Sequence, residues 1–323
     1  MSNTTNDKQN LSKGYSGYQV YREGNFLIKR LTGTPTPEKL ATLEQKARIV
    51  SAIKHRVPAI APLAIEPNKP NQFLVTNDFS GFVYPFMEGT SKKITEWTAP
   101  MYQAYGQVIS NLHDIQLNDI QIETIDSDHI LAQNLGRFDI QLNLDKLFGK
   151  QSVYKQYKPQ LTHAYTQGRA FYRTINFDDL VLSHGDYHDD QILWHGHTFF
   201  IIDWDNLTLE NQYMDILKAF CLLNPMSMDP RKRTLVDSGV IHAFAQGYAA
   251  AGLLPAVDLL PYVDALCADC ISNSGHYARL AQKYPDAPGI ASFKNLSTAL
   301  LLQAINLYQN RQHLADTLSP LLF

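Results

Sequence analysis

The feature that most constrains this chain is a polar loop held between two short apolar runs in its second half. The segment SHGDYHDDQILW occupies residues 183–194, is preceded by LVL, and is followed by FFIIDWD at residues 199–205. Apolar runs of this length next to Gly and Asp predict short β-strands joined by a loop. We expect such a loop to bring the side chains of Asp186, Gln191 and Asp203 together in one small concave volume.

These residue types in this order point to a particular chemistry. Phosphoryl transfer needs a carboxylate beside an acceptor hydroxyl, and oxygen ligands that hold Mg²⁺ on the nucleotide phosphates. The motif resembles that of the aminoglycoside phosphotransferase and choline kinase family, small-molecule relatives of the protein kinases. That signature is His-Gly-Asp, four residues, usually Asn, and then a strand ending in Ile-Asp. The resemblance implies that Asp186 is the catalytic base or orients the hydroxyl, and that Asp203 and Gln191, which replaces the usual Asn, bind the metal.

The resemblance extends to the first 90 residues. Lys29, in the run FLIKR, resembles the family lysine that contacts the α and β phosphates of the nucleotide. Glu44 falls in a predicted helix where the family keeps the glutamate that pairs with this lysine. The segment FVYPFMEG looks like the hinge between lobes, which implies that adenine lies against the C=O of Pro85 and the N–H of Met87.

Other positions match the family less closely. The turn that would cover the phosphates is KGYSGY, with Ser16 and Gly17 as its candidate contacts, and it lacks the full G-x-G-x-x-G pattern. His184 and His188 could bind metal together with Asp186. The family's histidines support the loop instead, and we favour that role.

Four further polar residues are interpreted as structural or solvent-exposed. His113, in the family-like pair Leu-His at the end of a helix, is predicted to be structural. Asp215 matches a family aspartate that braces the catalytic loop. Asp189 and Asp190 are predicted to be exposed loop charges, although either could contact a cationic acceptor.

Apolar periodicity predicts the order of elements. Residues 18–31 read as two strands of a hairpin, Glu38–Ile53 as a helix, and the runs FLVTND and GFVYPFM as two more strands. A helix follows Thr98, and the region from Asp215 to the last residue is helical. The fold expected is α+β and two-lobed, resembling a protein kinase. We expect a polar, disordered tail over 1–12, a nucleotide-binding lobe of antiparallel sheet and one helix over 13–88, and a mainly helical lobe over 89–323.

Composition excludes several classes of protein. The chain has 323 residues, enough for a core without disulfides, and its three cysteines cannot form a complete set of pairs. The net charge of −3 gives no support for nucleic-acid binding, and no apolar run is long enough to span a membrane. Residues 1–90 carry 11 basic and 7 acidic side chains, so the first part is mildly basic and the remainder acidic. We expect a cytoplasmic protein.

The function predicted from these observations is transfer of the γ-phosphate of ATP, with Mg²⁺, to a hydroxyl of a small molecule. Two alternatives stay open: a nucleotide-binding pseudokinase that serves as a partner-binding module, and a kinase acting on protein. The identity of the acceptor and the oligomeric state are left open. From residue 206 onward the chain has 9 acidic and 8 basic residues, which does not favour a polycationic acceptor over a neutral or zwitterionic one.

Overall fold

The computed structural model describes residues 9–11, 18–31, 36–60, 73–75, 80–116, 141–175, 180–221, 238–283 and 290–323. The chain forms two compact units, and each is discontinuous in sequence. The first consists of Met1–Ser91, Ile115–Ile125 and Gln191–Leu207; the second consists of Lys92–Asp114, Asp126–Asp190 and Thr208–Phe323.

The first unit contains a five-stranded antiparallel sheet with the strand order β1-β2-β3-β5-β4. Its elements are β1 (Gln9–Asn10), β2 (Tyr18–Glu23), β3 (Phe26–Leu31), α1 (Pro37–Ile53), β4 (Phe73–Val75) and β5 (Ser80–Pro85). The hairpin, the helix and the following strands confirm the predicted order. The predicted strand FLVTND is described only over its first three residues.

One helix packs against this sheet and gives the unit its core. Pro37 opens α1, where a residue without an N–H donor costs no hydrogen bond. Leu43 and Ala47 lie one turn apart on the helix and are buried against Phe82 and Tyr84 of the sheet. This packing fixes the helix over the strands β3 and β5 that carry the predicted lysine and hinge.

A second, three-stranded sheet belongs to the same unit, and sequence patterning did not predict two of its strands. Its order is β6-β8-β9, from β6 (Thr90–Ser91), β8 (Ile192–His195) and β9 (Thr198–Ile201). Because β6 pairs with β8, residues 191–207 group with the first unit. The N–H of Ile201 also donates to the C=O of Ala59 at 2.7 Å, which ties β9 to the segment after α1.

The second unit is mainly helical and carries one two-stranded antiparallel sheet. Its strands are β7 (Leu180–Ser183) and β10 (Thr208–Asn211). Its helices are α2 (Ala99–His113), α3 (Leu144–Phe148), α4 (Ser152–Tyr172), α5 (Gln212–Cys221), α6 (Ser238–Tyr248), α7 (Leu260–Lys283) and α8 (Ile290–Leu322).

Two glycines allow α2 and α6 to approach closely. A Cβ atom on Gly106 would lie 2.2 Å from the C=O oxygen of Phe244, and one on Gly247 would lie 1.9 Å from that of Gln103. The two contacts are reciprocal, each helix placing a glycine against the backbone of the other. Any larger side chain at either position would force these helices apart.

Candidate active site

The segment His184-Gly185-Asp186 begins directly after β7 in the second unit. Gly185 has a φ of 77°, a left-handed conformation that L side chains rarely adopt, and the chain turns sharply there. Two side chains hold the turn: the N–H of His184 donates to the Tyr187 hydroxyl at 3.1 Å, and the N–H of Gly185 donates to Ser183 Oγ at 3.0 Å. Asp186, at the tip of this turn, has a side chain that is 41% exposed.

Asp215, on α5, binds the side chains that hold this turn. Its side chain is fully buried, and its two oxygens accept hydrogen bonds from Ser183 Oγ and from the Tyr187 hydroxyl, the second at 2.8 Å. His113 Nε2 lies 2.7 Å from the same carboxylate, and His113 Nδ1 lies 2.7 Å from the Tyr248 hydroxyl. The structure thus confirms the structural roles predicted for Asp215 and His113, because both brace the loop from within the core.

Tyr187, in this network, remains protonated well into alkaline conditions. Burial, and then the neighbouring charge of Asp215, raise the pKa of Tyr187 well above its ordinary value of 10.0. The hydroxyl therefore keeps the proton that it donates to Asp215.

The prediction that Asp189 is an exposed loop charge is wrong. The residue is only 3% exposed, because the chain forms a 3₁₀ turn over Asp189–Gln191 that directs its carboxylate inward. There Asp189 Oδ2 accepts the backbone N–H of Ile94, at the start of another 3₁₀ turn, at 3.1 Å. Asp190 is also partly shielded, and it pairs with Lys93 at 3.1 Å. Both carboxylates therefore hold the loop to residues 93 and 94.

The two predicted metal ligands lie together in the first unit. The N–H of Ile202, which follows β9, donates to the backbone C=O of Gln191 at 2.9 Å. The Gln191 side-chain amide donates through Nε2 to Asp203 Oδ2 at 3.3 Å. Asp203 has φ 70° and ψ 56°, a left-handed conformation that is uncommon for residues other than glycine. Backbone strain of this kind is concentrated at functional sites, and here it sets the direction of a carboxylate.

The predicted nucleotide-binding lysine contacts this aspartate. Lys29 is only 5% exposed, and in β3 it pairs with Val20 on one side and Phe82 on the other. Its ammonium group forms a salt bridge with Asp203 Oδ1, across 174 residues of sequence. The structure therefore brings together Lys29, Gln191 and Asp203.

Glu44, predicted to pair with Lys29, has a different ionic partner. Its carboxylate accepts a hydrogen bond from Arg48 at 2.7 Å, and both side chains are 47% exposed. Arg48 lies one helical turn after Glu44, the spacing at which side chains on a helix meet. The local pair within α1 thus stands in place of the expected pair with Lys29.

The predicted hinge begins at Pro85, where β5 ends beside β3. The N–H of Phe86 donates to the C=O of Asn25 at 2.7 Å, so this pair is hydrogen-bonded. Residues in an antiparallel ladder alternate in direction, and the backbone groups of Pro85, the last residue of β5, therefore point away from β3. Proline at 85 carries a carbonyl in that direction without a donor that would need a partner.

The remaining predicted contacts, Ser16 and Gly17, lie outside the residues that the structure describes. Sequence reasoning missed Ser183, Tyr187 and Tyr248, which join the His-Gly-Asp turn to Asp215 and His113. Ser183 and Tyr187 stand inside the motif itself, and their hydroxyl groups were the available signal. Nothing in the sequence around Tyr248 indicates a contact with a residue 135 positions away.

The comparison with protein families now identifies the chain's class. The sequence profile of the phosphotransferase enzyme family matches residues 9–254, more than half of the 323-residue chain. The chain therefore belongs to this family, which confirms the resemblance inferred from the motif and the enzyme class, a phosphotransferase. A search of curated protein sequences gave no match.

Solved structures show the same fold at low sequence identity. A spectinomycin phosphotransferase, solved with ADP and spectinomycin, is 16% identical with a TM-score of 0.62, over 93% of each chain. A choline/ethanolamine kinase family protein from Mesorhizobium loti is 12% identical with a TM-score of 0.59, over 98% of this chain and 94% of the other. An ethanolamine kinase from Plasmodium vivax is 12% identical, with a TM-score of 0.57 and coverages of 94% and 83%. These likenesses confirm the predicted two-lobed, kinase-like α+β fold.

Across the described helices, none has the combination of length and hydrophobicity that crossing a membrane requires.

Proposed function

We propose that this protein transfers the γ-phosphate of ATP to a hydroxyl group of a small molecule, in a reaction that requires Mg²⁺. The observation that carries the proposal is the cluster of Lys29, Gln191 and Asp203 in the first unit. A buried ammonium, an amide and a carboxylate come together there from distant parts of the sequence.

The cluster has the chemistry that a nucleotide with a divalent cation needs. Asp203 offers carboxylate oxygens and Gln191 a neutral amide oxygen, and Mg²⁺ prefers oxygen ligands of both kinds. Asp203 is 34% exposed, so it is accessible to an ion, whereas the Lys29 ammonium is buried beside it. These residues would hold Mg²⁺, and the cation, when bound, neutralises charge on the phosphates. Lys29 adds a compact positive charge that suits a phosphate oxygen.

Asp186 is assigned the acceptor side of the reaction. Its side chain is 41% exposed at the tip of a turn that Ser183, Tyr187 and Asp215 hold rigidly. Its carboxylate accepts the proton of the acceptor hydroxyl as that oxygen forms a bond to the γ-phosphorus. The bond from the γ-phosphorus to the bridging oxygen then breaks, and ADP leaves. Because the loop is held in advance, catalysis rests on positioning and charge stabilisation.

The segment after β5 is assigned to adenine. The C=O of Pro85 points away from β3, as the geometry of the ladder requires, and the N–H of Met87, two residues later, is the proposed donor. One acceptor and one donor in line match the edge of an adenine ring. This supports binding of the base by backbone groups.

The experiment that tests the proposal is a screen for ADP release with Mg·ATP and a panel of small hydroxyl compounds. The panel takes its first members from the names of the similar structures: spectinomycin, a macrolide, amicoumacin, choline and ethanolamine. It also holds neutral sugars and hydroxy amino acids, with a cell-extract protein fraction in a separate arm. Acceptor-dependent ADP release with at least one small compound is expected. Mg·ATP binding without turnover in any arm would instead indicate a pseudokinase, and turnover only with extract would indicate a protein kinase.

A matched variant links the activity to the site. Asp186→Asn keeps the shape of the side chain and removes its basicity, so kcat should fall at least about a hundredfold while ATP affinity changes only a few-fold. Calorimetric titration of Mg·ATP into both proteins measures the affinity. A kcat close to that of the unaltered protein would exclude Asp186 from the role proposed here.

A further inference from the structure

The turn that ends in the proposed metal ligand Gln191 begins with a buried carboxylate, that of Asp189. We propose that Asp189 is a positioning residue: its hydrogen bond to the backbone N–H of Ile94 sets the path of the turn and thereby the place of the Gln191 amide. The inference rests on the proposed role of Gln191 as a metal ligand. Asp189 then acts on the reaction through Gln191 and not by contact with a substrate.

The burial of Asp189 is the first observation. The residue is 3% exposed, and its Oδ2 accepts the N–H of Ile94 at 3.1 Å. A buried carboxylate is costly unless the protein supplies hydrogen-bond donors. A backbone N–H is a donor whose position the main chain sets, so this bond restricts where the carboxylate can lie. Asp189 is therefore held at a definite point by a group 95 residues away in the sequence.

The short stretch of chain from Asp189 to Gln191 is the second observation. The two residues are the first and the last of a single 3₁₀ turn. The C=O of Gln191 accepts the N–H of Ile202 at 2.9 Å, and its side-chain amide donates to Asp203 at 3.3 Å. Groups that bind a ligand together must be held to within about 0.5 Å of the productive geometry. With only one residue between them, a displacement of Asp189 is passed on to the Gln191 amide.

A neighbouring ion pair provides the contrast to this bond. Asp190 pairs with Lys93 at 3.1 Å, one residue along from Asp189 and from Ile94. The Lys93 side chain is 62% exposed, and an ion pair on an exposed lysine holds its partner weakly. An oxygen of each aspartate and a ring nitrogen of His188 lie within 4.8 Å of one another. Because two carboxylates at this separation repel each other, a fixed donor such as the Ile94 N–H is needed to keep Asp189 in place.

The consequence concerns the affinity for Mg²⁺ and not the chemistry on the acceptor. When Asp189 loses its donor, the turn can follow other paths, and the Gln191 amide lies at the right distance for only part of the time. The apparent affinity for a ligand falls by the fraction of molecules in the competent arrangement. A higher Mg²⁺ concentration should therefore restore binding.

The first test reads the hydrogen bond without metal, nucleotide or acceptor. Protein labelled with ¹⁵N-isoleucine is examined by ¹H–¹⁵N correlation, and the Ile94 signal is assigned by its loss in Ile94→Val. The Ile94 amide proton should shift upfield in Asp189→Ala, because a hydrogen bond to a carboxylate is lost. It should shift much less in Asp189→Asn, which keeps an acceptor oxygen. An Ile94 signal that is unchanged in Asp189→Ala would overturn the proposal.

The second test measures how ATP binding depends on Mg²⁺, by calorimetry and with no acceptor present. In Asp189→Ala the Mg²⁺ concentration for half-maximal binding should rise about tenfold, an effect typical of residues that orient a metal ligand. Asp189→Asn should stay within about threefold, and Lys93→Ala, which removes only the exposed ion pair, within about twofold. An equal rise in Lys93→Ala, or in Asp189→Asn, would show that the charge of the loop acts and not the bond to Ile94.

The third test removes the donor and leaves the carboxylate. Ile94 is the first residue of the 3₁₀ turn Ile94–Glu96, where proline is accepted, and Lys93 before it has φ −62° and ψ 145°, the extended conformation that suits a residue preceding proline. Ile94→Pro should raise the Mg²⁺ requirement as Asp189→Ala does, and the double variant should be no worse than either. Ile94→Val keeps the N–H and should be unchanged. Additive losses, or a normal Mg²⁺ requirement in Ile94→Pro, would contradict the proposal.

The same titration separates failure of this inference from failure of the proposed metal site. The expected result is that Asp189→Ala costs almost nothing more in the Gln191→Ala background, because residues that act as a unit are not additive. If Gln191→Ala and Asp203→Asn raise the Mg²⁺ requirement while Asp189→Ala and Ile94→Pro do not, the positioning role is wrong and the metal site stands. If Gln191→Ala leaves the requirement unchanged, Gln191 is not a ligand, and the inference fails with that role.

Discussion

Two aspartates of this protein, Asp215 and Asp203, differ in how far their side chains are exposed to solvent. Asp215 has no exposed side-chain surface, and its oxygens are bound by Ser183, Tyr187 and His113. Asp203 is 34% exposed, stands on a strained backbone, and has Lys29 and Gln191 as partners. The Asp215 carboxylate holds neighbouring segments of the chain in place, whereas the Asp203 carboxylate keeps a surface that is open to solvent.

The comparison shows which observation separates a carboxylate enclosed by the protein from the one proposed to bind a ligand. Both are charged and both have a basic neighbour, so neither property distinguishes them. The degree of burial distinguishes the two carboxylates, because a fully enclosed carboxylate has its hydrogen-bonding capacity taken up by the protein. The carboxylate with exposed surface, on a left-handed backbone, is the one that we propose as a metal ligand.

The largest expected effect comes from substituting each aspartate with asparagine. Asp215→Asn should lower the free energy of unfolding by about 3–5 kcal/mol, since an amide NH₂ group would face donors in a closed site. Asp203→Asn should cost about 1–2 kcal/mol, because the amide keeps an oxygen for Lys29 and the site is open to water. Urea unfolding measures both. Comparable losses of stability in the two variants would break the distinction drawn from burial.

Substituting the basic partner of Asp203 should affect nucleotide kinetics, whereas substituting the basic partner of Asp215 should affect stability. Lys29→Met removes the ammonium near the proposed phosphate site, so kcat/KM for ATP should fall by about tenfold or more. His113→Gln should lower the free energy of unfolding by about 1–3 kcal/mol, because a ring that binds both Asp215 and Tyr248 is lost. The KM for ATP should not change in His113→Gln. If Lys29→Met has normal nucleotide kinetics, the alignment of β3 with the family is wrong.

The next prediction concerns Gln191, whose amide contacts the partly exposed Asp203. Its amide stands where the family usually has Asn, on a stem one methylene longer, and Mg²⁺ tolerates little error in ligand distance. Gln191→Ala should therefore lose about tenfold in activity and need more Mg²⁺, and Gln191→Asn should be impaired rather than improved. A Mg²⁺ titration of turnover decides it. Unchanged activity in Gln191→Ala across that titration would show that Gln191 does not bind the metal, and Asp203 would remain as the proposed ligand.

The smallest expected effect is the pH dependence of stability near the buried aspartate. Burial and the charge of Asp215 raise the pKa of Tyr187 above its ordinary 10.0. The folded state thus keeps a proton that the unfolded chain loses, so this contribution is fully present below about pH 10 and is lost as pH rises further. Tyr187→Phe should flatten the decline in stability above that pH. Because burial also raises the pKa of Tyr105 and Tyr248, part of the decline should remain, and urea midpoints at pH 8 to 11 measure it.

Much of the fold and of the candidate site was predictable because the signals are local. The hairpin containing β2 and β3 follows from alternating residues around a short turn, and α1 from its period and Pro37. The positions of Asp186, Gln191 and Asp203 follow from a motif of fixed spacing. The exposure of Asp189 was predicted wrongly, because its carboxylate bonds to Ile94, about a hundred residues earlier in the chain.

The sequence by itself therefore determined the class of fold, the order of the first elements and the identity of the residues that stand at the proposed site. Tertiary structure decided how they are used: that Lys29 meets Asp203 across 174 residues, that Asp215 is enclosed, and that α2 and α6 touch through glycines. The physical reason is the distance along the sequence over which each property is determined. Periodicity and turn chemistry are fixed by neighbouring residues, whereas burial and the partner of a charge depend on which distant segments pack together, and no local pattern records that.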